Sequence, residues 1–138
     1  MADEAKFITV FNNLKNKLDT VSPSFCAAKW KQVSILLNQG RTHSCHHPGT
    51  HEIPLNELKN NSSALHNTNY KKQQRQLMLQ GSRPKECDYC WRVEDSNTDG
   101  FSDRFYKSIT QWADIDNTIL EIINMEWDYD VVPSYLEV

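Results

Sequence analysis

The sequence predicts a small α+β module, with one β-hairpin and several helices organised around a four-cysteine metal or cluster site. Three observations predict it. Apolar residues recur at helical spacing near both ends of the chain. An alternating apolar run reverses at a glycine. Four cysteines are placed so that a folded hairpin draws them together. The chain has 138 residues, a formal net charge of −3 and 38% hydrophobic residues. That is a modest core, and metal ligation can replace core area because binding energy becomes folding energy.

In chain order, residues 3–19 form an amphipathic helix. Phe7, Val10, Phe11, Leu14 and Leu18 recur at spacings of three and four, and Lys6, Asn13, Lys15 and Lys17 occupy the other face. This is a packing element, ended by Pro23, which biases Ser22 away from helix. Residues 33–45 form the hairpin. Val33, Ile35 and Leu37 alternate, residues 38–40 turn with Gly40 at a positive φ, and Thr42–Cys45 return. His46–His51 is a loop, and Pro54 opens a short helix through Leu58. The polar, Asn-rich residues 59–68 are a further loop.

A second long helix runs from Asn69 to Gln80. Thr68 is its N-cap and Gly81 its left-handed C-terminal residue. Tyr70, Leu77 and Met78 mark its apolar side, with Lys71, Lys72 and Arg75 on the solvated side, and Pro84 follows as a stop. Residues 95–100 are turn-rich. Ser102 or Asp103 caps a helix through Trp112. Ile115, Ile119, Ile122 and Ile123 define another helix, ending near Asn124. The last five residues open a strand, which needs a partner because a strand alone leaves its backbone unpaired.

Several function classes are excluded. A weakly acidic chain with mixed charges has no global field for a general nucleic-acid coat protein. No stretch approaches the roughly 20 apolar residues of a membrane span. The acidic start Met1-Ala2-Asp3-Glu4 lacks a signal pattern. A soluble, cytoplasmic protein without membrane contact is expected. There is no P-loop, dinucleotide turn or Ser/His/Asp spacing. Glu94 and Asp95 balance charge rather than form a catalytic dyad, and Tyr70, Lys71, Lys72 and Arg75 are a solvated face rather than a phosphate site. Asp103, Arg104 and Lys107 are expected to form local helix pairs, worth ~0–1 kcal/mol.

The candidate site is Cys26, Cys45, Cys87 and Cys90. In a chain without a secretion signal, four cysteines point away from a disulfide framework. Cys87-Asp-Tyr-Cys90 puts two thiolates within reach of one centre, and the hairpin brings Cys26 beside Cys45 at the end of its second strand. Four convergent thiolates suit either an all-cysteine zinc site or a four-iron cluster. Phe25, Trp30, Tyr89 and Trp91 either shield such a centre or fill the core. Lys29, Arg41, Lys85 and Arg92 are close in sequence and would offset anionic charge. His43, His46, His47 and His51 are read as polar loop residues near the site. A mixed zinc site of Cys45, Cys87, Cys90 and one histidine is the alternative. Cys45-x-His47 has half a Rieske pattern, but its partner is C-x2-C rather than C-x2-H. Spacing alone leaves iron–sulfur and Zn2+ open.

The arrangement Cys26-x13-Gly40-x4-Cys45, then Cys87-x2-Cys90, resembles the opening of the SPASM and twitch domains of radical S-adenosylmethionine (radical SAM) proteins. "FCAAKW" is similar to their Phe-Cys-x-x-x-Trp opening. "RQLMLQGSRPKECDYCWRVED" resembles their helix, the Gly-x-x-Pro-x-x-Cys-x-x-Cys stretch and the acidic residue after it. "SDRFYKS" and "PSYLEV" resemble the lead-in to the first strand of a radical SAM barrel. The resemblance covers roughly residues 24–138. It implies that Cys26, Cys45, Cys87 and Cys90 bind one [4Fe-4S] cluster, for electron relay or substrate positioning. It implies a cluster-binding module over 23–100 and a helical lead-in to a barrel strand over 101–138, preceded by the amphipathic N-terminal helix, 1–22, that the apolar spacing gives. The C-x3-C-x2-C signature that binds S-adenosylmethionine is absent from this sequence. The expected partner is therefore a radical SAM barrel, in cis beyond Val138 or in trans.

Overall fold

In the computed structural model, which describes residues 2–96, 101–110 and 115–138, the chain adopts an α+β fold. Its helices are α1 (Ala2–Val21), α2 (Ala28–Lys31), α3 (Leu55–Asn60), α4 (Asn69–Leu79), α5 (Asp88–Ser96), α6 (Asp103–Thr110) and α7 (Ile115–Ile123). Its strands are β1 (Gln32–Leu36), β2 (Arg41–His43), β3 (His51–Glu52) and β4 (Tyr135–Glu137), with 3-10 turns at Ser62–Leu65 and Lys85–Cys87. Of the predicted loop at 95–100, Asp95 and Ser96 instead end α5 and 97–100 lie outside the described residues, as do the helix end at Trp112 and the side chains of Phe7 and Phe11. Among the described residues, no helix is long and apolar enough to cross a membrane.

The sheet runs β3-β2-β1-β4. β1 and β2 form the predicted hairpin, with Ile35 opposite Thr42. Gly40 has φ +64°, the conformation that only glycine adopts without a Cβ penalty. The strands are shorter than expected: Leu37 sits exposed in the turn, and Cys45 lies beyond β2 in a bend. β3 arises inside the predicted histidine loop, where Thr42 pairs with His51 and Arg41 donates from Nε to Thr50 Oγ1 at 2.9 Å. Two residues are too few to show a period. The terminal strand finds its partner in β1: β4 runs parallel to it, with Val33 opposite Leu136, and Ser134 N–H donates to the Lys31 carbonyl at 2.7 Å.

The main core gathers Leu14 and Leu18 of α1, Phe25, Trp30 of α2, Met78 of α4, Trp91 of α5, Phe105 of α6, Ile122 of α7 and Val131, together with all four cysteines. A second cluster, Val33, Ile35 and Ile53, fills one face of the sheet, with Leu58 and Leu65 against it. The end of α1 is tied to the end of α4. Ser24 Oγ donates to the Met78 carbonyl at 3.2 Å and Ser22 Oγ donates to the same oxygen.

α4 has the predicted ends but not the predicted face. Thr68 Oγ1 accepts from Lys71 N–H at 3.1 Å, and Gly81 follows the helix at φ +79°. Lys71 and Arg75, expected in solvent, are 1% and 0% exposed, while Tyr70 is 40% exposed. The reason is hydrogen bonding rather than hydropathy. Arg75 donates from Nε to the Lys29 carbonyl (2.8 Å), from one terminal nitrogen to Asn67 Oδ1 (2.7 Å) and from the other to the His66 carbonyl (3.1 Å). A guanidinium fork whose donors meet fixed acceptors can be buried. α2, α5 and the 3-10 turns are further elements that apolar spacing does not reveal, because each is too short or carries too few apolar residues.

The Thr68 hydroxyl caps α4 and also contacts His51 Nε2 at 3.1 Å. Thr68→Ala is expected to lower the urea unfolding free energy by about 1–2 kcal/mol, and Thr68→Ser to recover most of it. Equal loss in both variants would assign the effect to the methyl group instead.

Candidate metal centre

The four cysteines come from four different backbone settings. Cys26 precedes α2, whose first turn opens with Lys29 N–H donating to the Cys26 carbonyl at 3.1 Å. Cys45 sits in the bend after β2 with φ +67°, a left-handed conformation rarely adopted by non-glycine residues. His43 Nδ1 closes that bend by donating to the Pro48 carbonyl at 2.8 Å. Cys87 ends the 3-10 turn begun after Pro84, and Cys90 lies in the first turn of α5, so the pair is separated by about one turn. All four are free and buried.

Their side chains border one cavity, shared with Lys29, His47, Met78, Trp91, Arg104 and Lys107. Burial, reinforced by the neighbouring thiols of Cys45, Cys87 and Cys90, pushes the Cys26 thiol well above its ordinary range. Burial raises Cys87 to about 11 against the pull of Lys29, and burial together with Cys45 raises Cys90. These three thiols are therefore protonated at neutral pH, and ligation must release their protons.

Two buried cations flank the thiols. Lys29 pairs with Glu86, which also accepts from the Tyr70 hydroxyl at 3.1 Å. Burial works against the Lys29 charge, but Cys87 and Glu86 outweigh it and raise its pKa. Arg104 donates from Nε to Glu94 Oε2 (2.8 Å), from one terminal nitrogen to Glu94 Oε1 (2.9 Å) and Asp19 Oδ1 (3.1 Å), and from the other to the Phe25 carbonyl (2.8 Å).

Of the four basic residues expected around the thiols, only Lys29 lines the cavity. Arg41 is held by Thr50, and Arg92 pairs with Asp88 in solvent. Arg104 and Lys107 take the other positions, brought in by α6, and no spacing in the sequence marks them. The expected local pairs along α6 are replaced by long-range ones: Asp103 holds His47, and Arg104 holds Glu94 and Asp19. Glu94 and Asp95 diverge, Asp95 pairing with Arg83 at 2.8 Å, in keeping with separate charge-balancing roles. Trp91 borders the cavity and donates from Nε1 to the Pro84 carbonyl at 2.8 Å. Phe25 and Trp30 pack together in the core with ring centroids 5.2 Å apart. Tyr89 faces outward and stacks on His47 at 3.9 Å.

Only His47 of the histidines reaches the cavity. His43 and His46 lie beside Ser34 and Glu137 on the sheet, and His51 contacts Thr68. His66, not singled out by the sequence, is buried and donates from Nε2 to the Trp30 carbonyl at 2.6 Å. Among the described residues, no group of three or more His, Cys, Asp or Glu side chains is drawn together as a single metal ion would require. Comparison with family models, curated proteins and solved structures finds no significant match to this chain.

Burial, with Arg75 and Lys71 nearby, pushes His66 down to about 2. The folded chain keeps this ring neutral where an unfolded one takes up a proton near pH 6.5. Its contribution to stability is complete above that pH and is lost progressively as pH falls toward the folded value. From about pH 7 to about pH 5, His66 alone is expected to remove roughly 2 kcal/mol, and His66→Gln to remove that part of the slope. Unfolding curves of both proteins at the two pH values check this; parallel pH profiles would contradict it.

Proposed function

We propose that Cys26, Cys45, Cys87 and Cys90 hold one [4Fe-4S] cluster, and that the chain is a twitch-type iron–sulfur module serving a radical SAM enzyme. The observation that supports this reading is that four buried, free cysteines from sequence positions far apart line one cavity. The donor set fits the group: four soft sulfur ligands in a dry pocket, with cations beside them to offset an anionic centre. When bound, such a cluster, with each iron taken by a cysteine, would supply a one-electron store for relay.

The chain's own residues do the rest. Met78 and Trp91 exclude water from the thiols, and Lys29 and Arg104 place fixed positive charge against them. Lowered water access and nearby charge are the levers that set a cluster's potential. His47, held by Asp103 and stacked on Tyr89, sits at the same wall with a titratable ring. It supplies a ligand for a second reading, a zinc-stabilised interaction module with four cysteines, or three cysteines and His47, and no redox role, in which these side chains close in further on one ion than they do here.

Anaerobic reconstitution with iron and sulfide separates the two. The cluster reading expects a brown protein with about four iron and about four sulfide per chain, bleached by dithionite. Cys26→Ala and Cys90→Ala are each expected to lose most of that iron. A colourless protein carrying one zinc overturns the cluster in favour of the second reading, and undiminished iron in both variants overturns the ligand assignment.

A further inference from the structure

Lys71, Arg75 and Met78 lie at i, i+4 and i+7 of α4, one buried stripe along its length. The stripe ends at the four-cysteine cavity, whose wall includes Met78. Arg75 connects it to the same wall a second time, through its bond to the carbonyl of Lys29. Two cations therefore run from the cavity wall into the core. The other buried cations reach carboxylates: Lys29 meets Glu86, Lys31 meets Glu121, and Arg104 meets Glu94. Among the described residues, no carboxylate lies within ion-pair distance of Lys71. Its Nζ donates to Thr42 Oγ1 at 2.8 Å, and that hydroxyl donates onward to the Ser34 carbonyl at 2.8 Å. An ammonium that can give three hydrogen bonds is left in a dry place with a neutral partner.

We propose that Lys71 is the proton-exchanging counter-charge of the four-cysteine site: filling the cavity with an anionic centre draws a proton from solvent onto Lys71 Nζ, and emptying it releases that proton. The proposal rests on the reading that the four thiols ligate a centre. It needs only the sign of the charge, because four thiolates leave a net negative centre around a zinc ion or a cluster alike. The groups that act on Lys71 are Arg75 from its own helix, Lys29 from α2, Glu86 from the turn before α5, and the His51 ring from β3. His66, before α4, feels it as well. Without an anionic occupant, burial and the charges of Arg75 and Lys29 outweigh Glu86 and bring Lys71 down to about 6. An anionic occupant acts in the opposite direction on the same nitrogen. Lys71 touches Thr42 rather than the thiols, so its part is that of a positioning charge.

The test uses the full chain, purified anaerobically, with bound metal assayed and lysine labelled with carbon-13 at Cε. The Lys71 signal, assigned by its loss in Lys71→Arg, is titrated in metal-loaded and chelator-stripped protein. The expected result is at least about a tenfold higher proton affinity in the loaded form. Equal titration in the two forms overturns the proposal while leaving the ligand reading intact. A protein that retains neither iron nor zinc overturns both.

Because stripping can unfold the chain, a second measurement uses loaded protein alone. Metal transfer to a chelator near pH 7 is expected to be about tenfold faster in Lys71→Met and to return toward the wild-type rate in Lys71→Arg, which keeps the charge without titrating. Wild-type rates in Lys71→Met, or equal acceleration in both variants, contradict the assignment.

Discussion

The structure depends on how charge is held away from water around four buried thiols. Cys26, Cys45, Cys87 and Cys90 border one space that also receives Lys29 and Arg104, two nearly inaccessible cations. Each cation is tied to carboxylates or carbonyls from distant parts of the chain: Lys29 to Glu86, Arg104 to Glu94, Asp19 and the Phe25 carbonyl. Burying a charge costs least when its hydrogen-bonding capacity is met, so these contacts help fix how α1, α2, α5 and α6 stand around the cavity. The same logic extends along α4, where each nitrogen of the Arg75 fork finds an acceptor, on Lys29, Asn67 and His66.

The sheet acts as the second anchor. β1 is central, paired with β2 on one side and β4 on the other. Through β1 the hairpin carries Cys45 toward the thiols, and through β4 the chain end is fixed beside the segment that follows Cys26. Lys31, at the junction of α2 and β1, reaches Glu121 of α7 at 2.8 Å and the Val132 carbonyl at 3.3 Å. Asn67 adds a second tie, exchanging hydrogen bonds with Val131 at 2.9 Å and 3.0 Å. The Cys45 backbone, at positive φ, is where this packing imposes local strain, and it falls on a residue that borders the cavity.

Much of the scaffold was legible before folding was considered. Leu14 and Leu18 at helical spacing, Val33 and Ile35 at strand spacing, Gly40 at the turn, Thr68 and Gly81 at the ends of α4, and Ile115, Ile119 and Ile122 along α7 each express a local preference that their neighbours in sequence satisfy. The cysteines were legible for a related reason. Four cysteines in one short chain, two of them at C-x2-C spacing, direct attention to one place.

What the sequence determined by itself is the set of elements whose stabilising contacts lie within a few residues, and the identity of the four thiols. What tertiary structure decided is which charges go inside. Lys71, Arg75, Arg104 and His66 are polar by every local criterion, and their burial follows from acceptors supplied by other segments: Thr42 on β2, the carbonyls of Phe25, Lys29 and Trp30, Asn67, and Glu94 on α5. A hydropathy pattern records a side chain's preference for water, whereas burial of a charge is set by the partners that folding brings within about 3 Å of it.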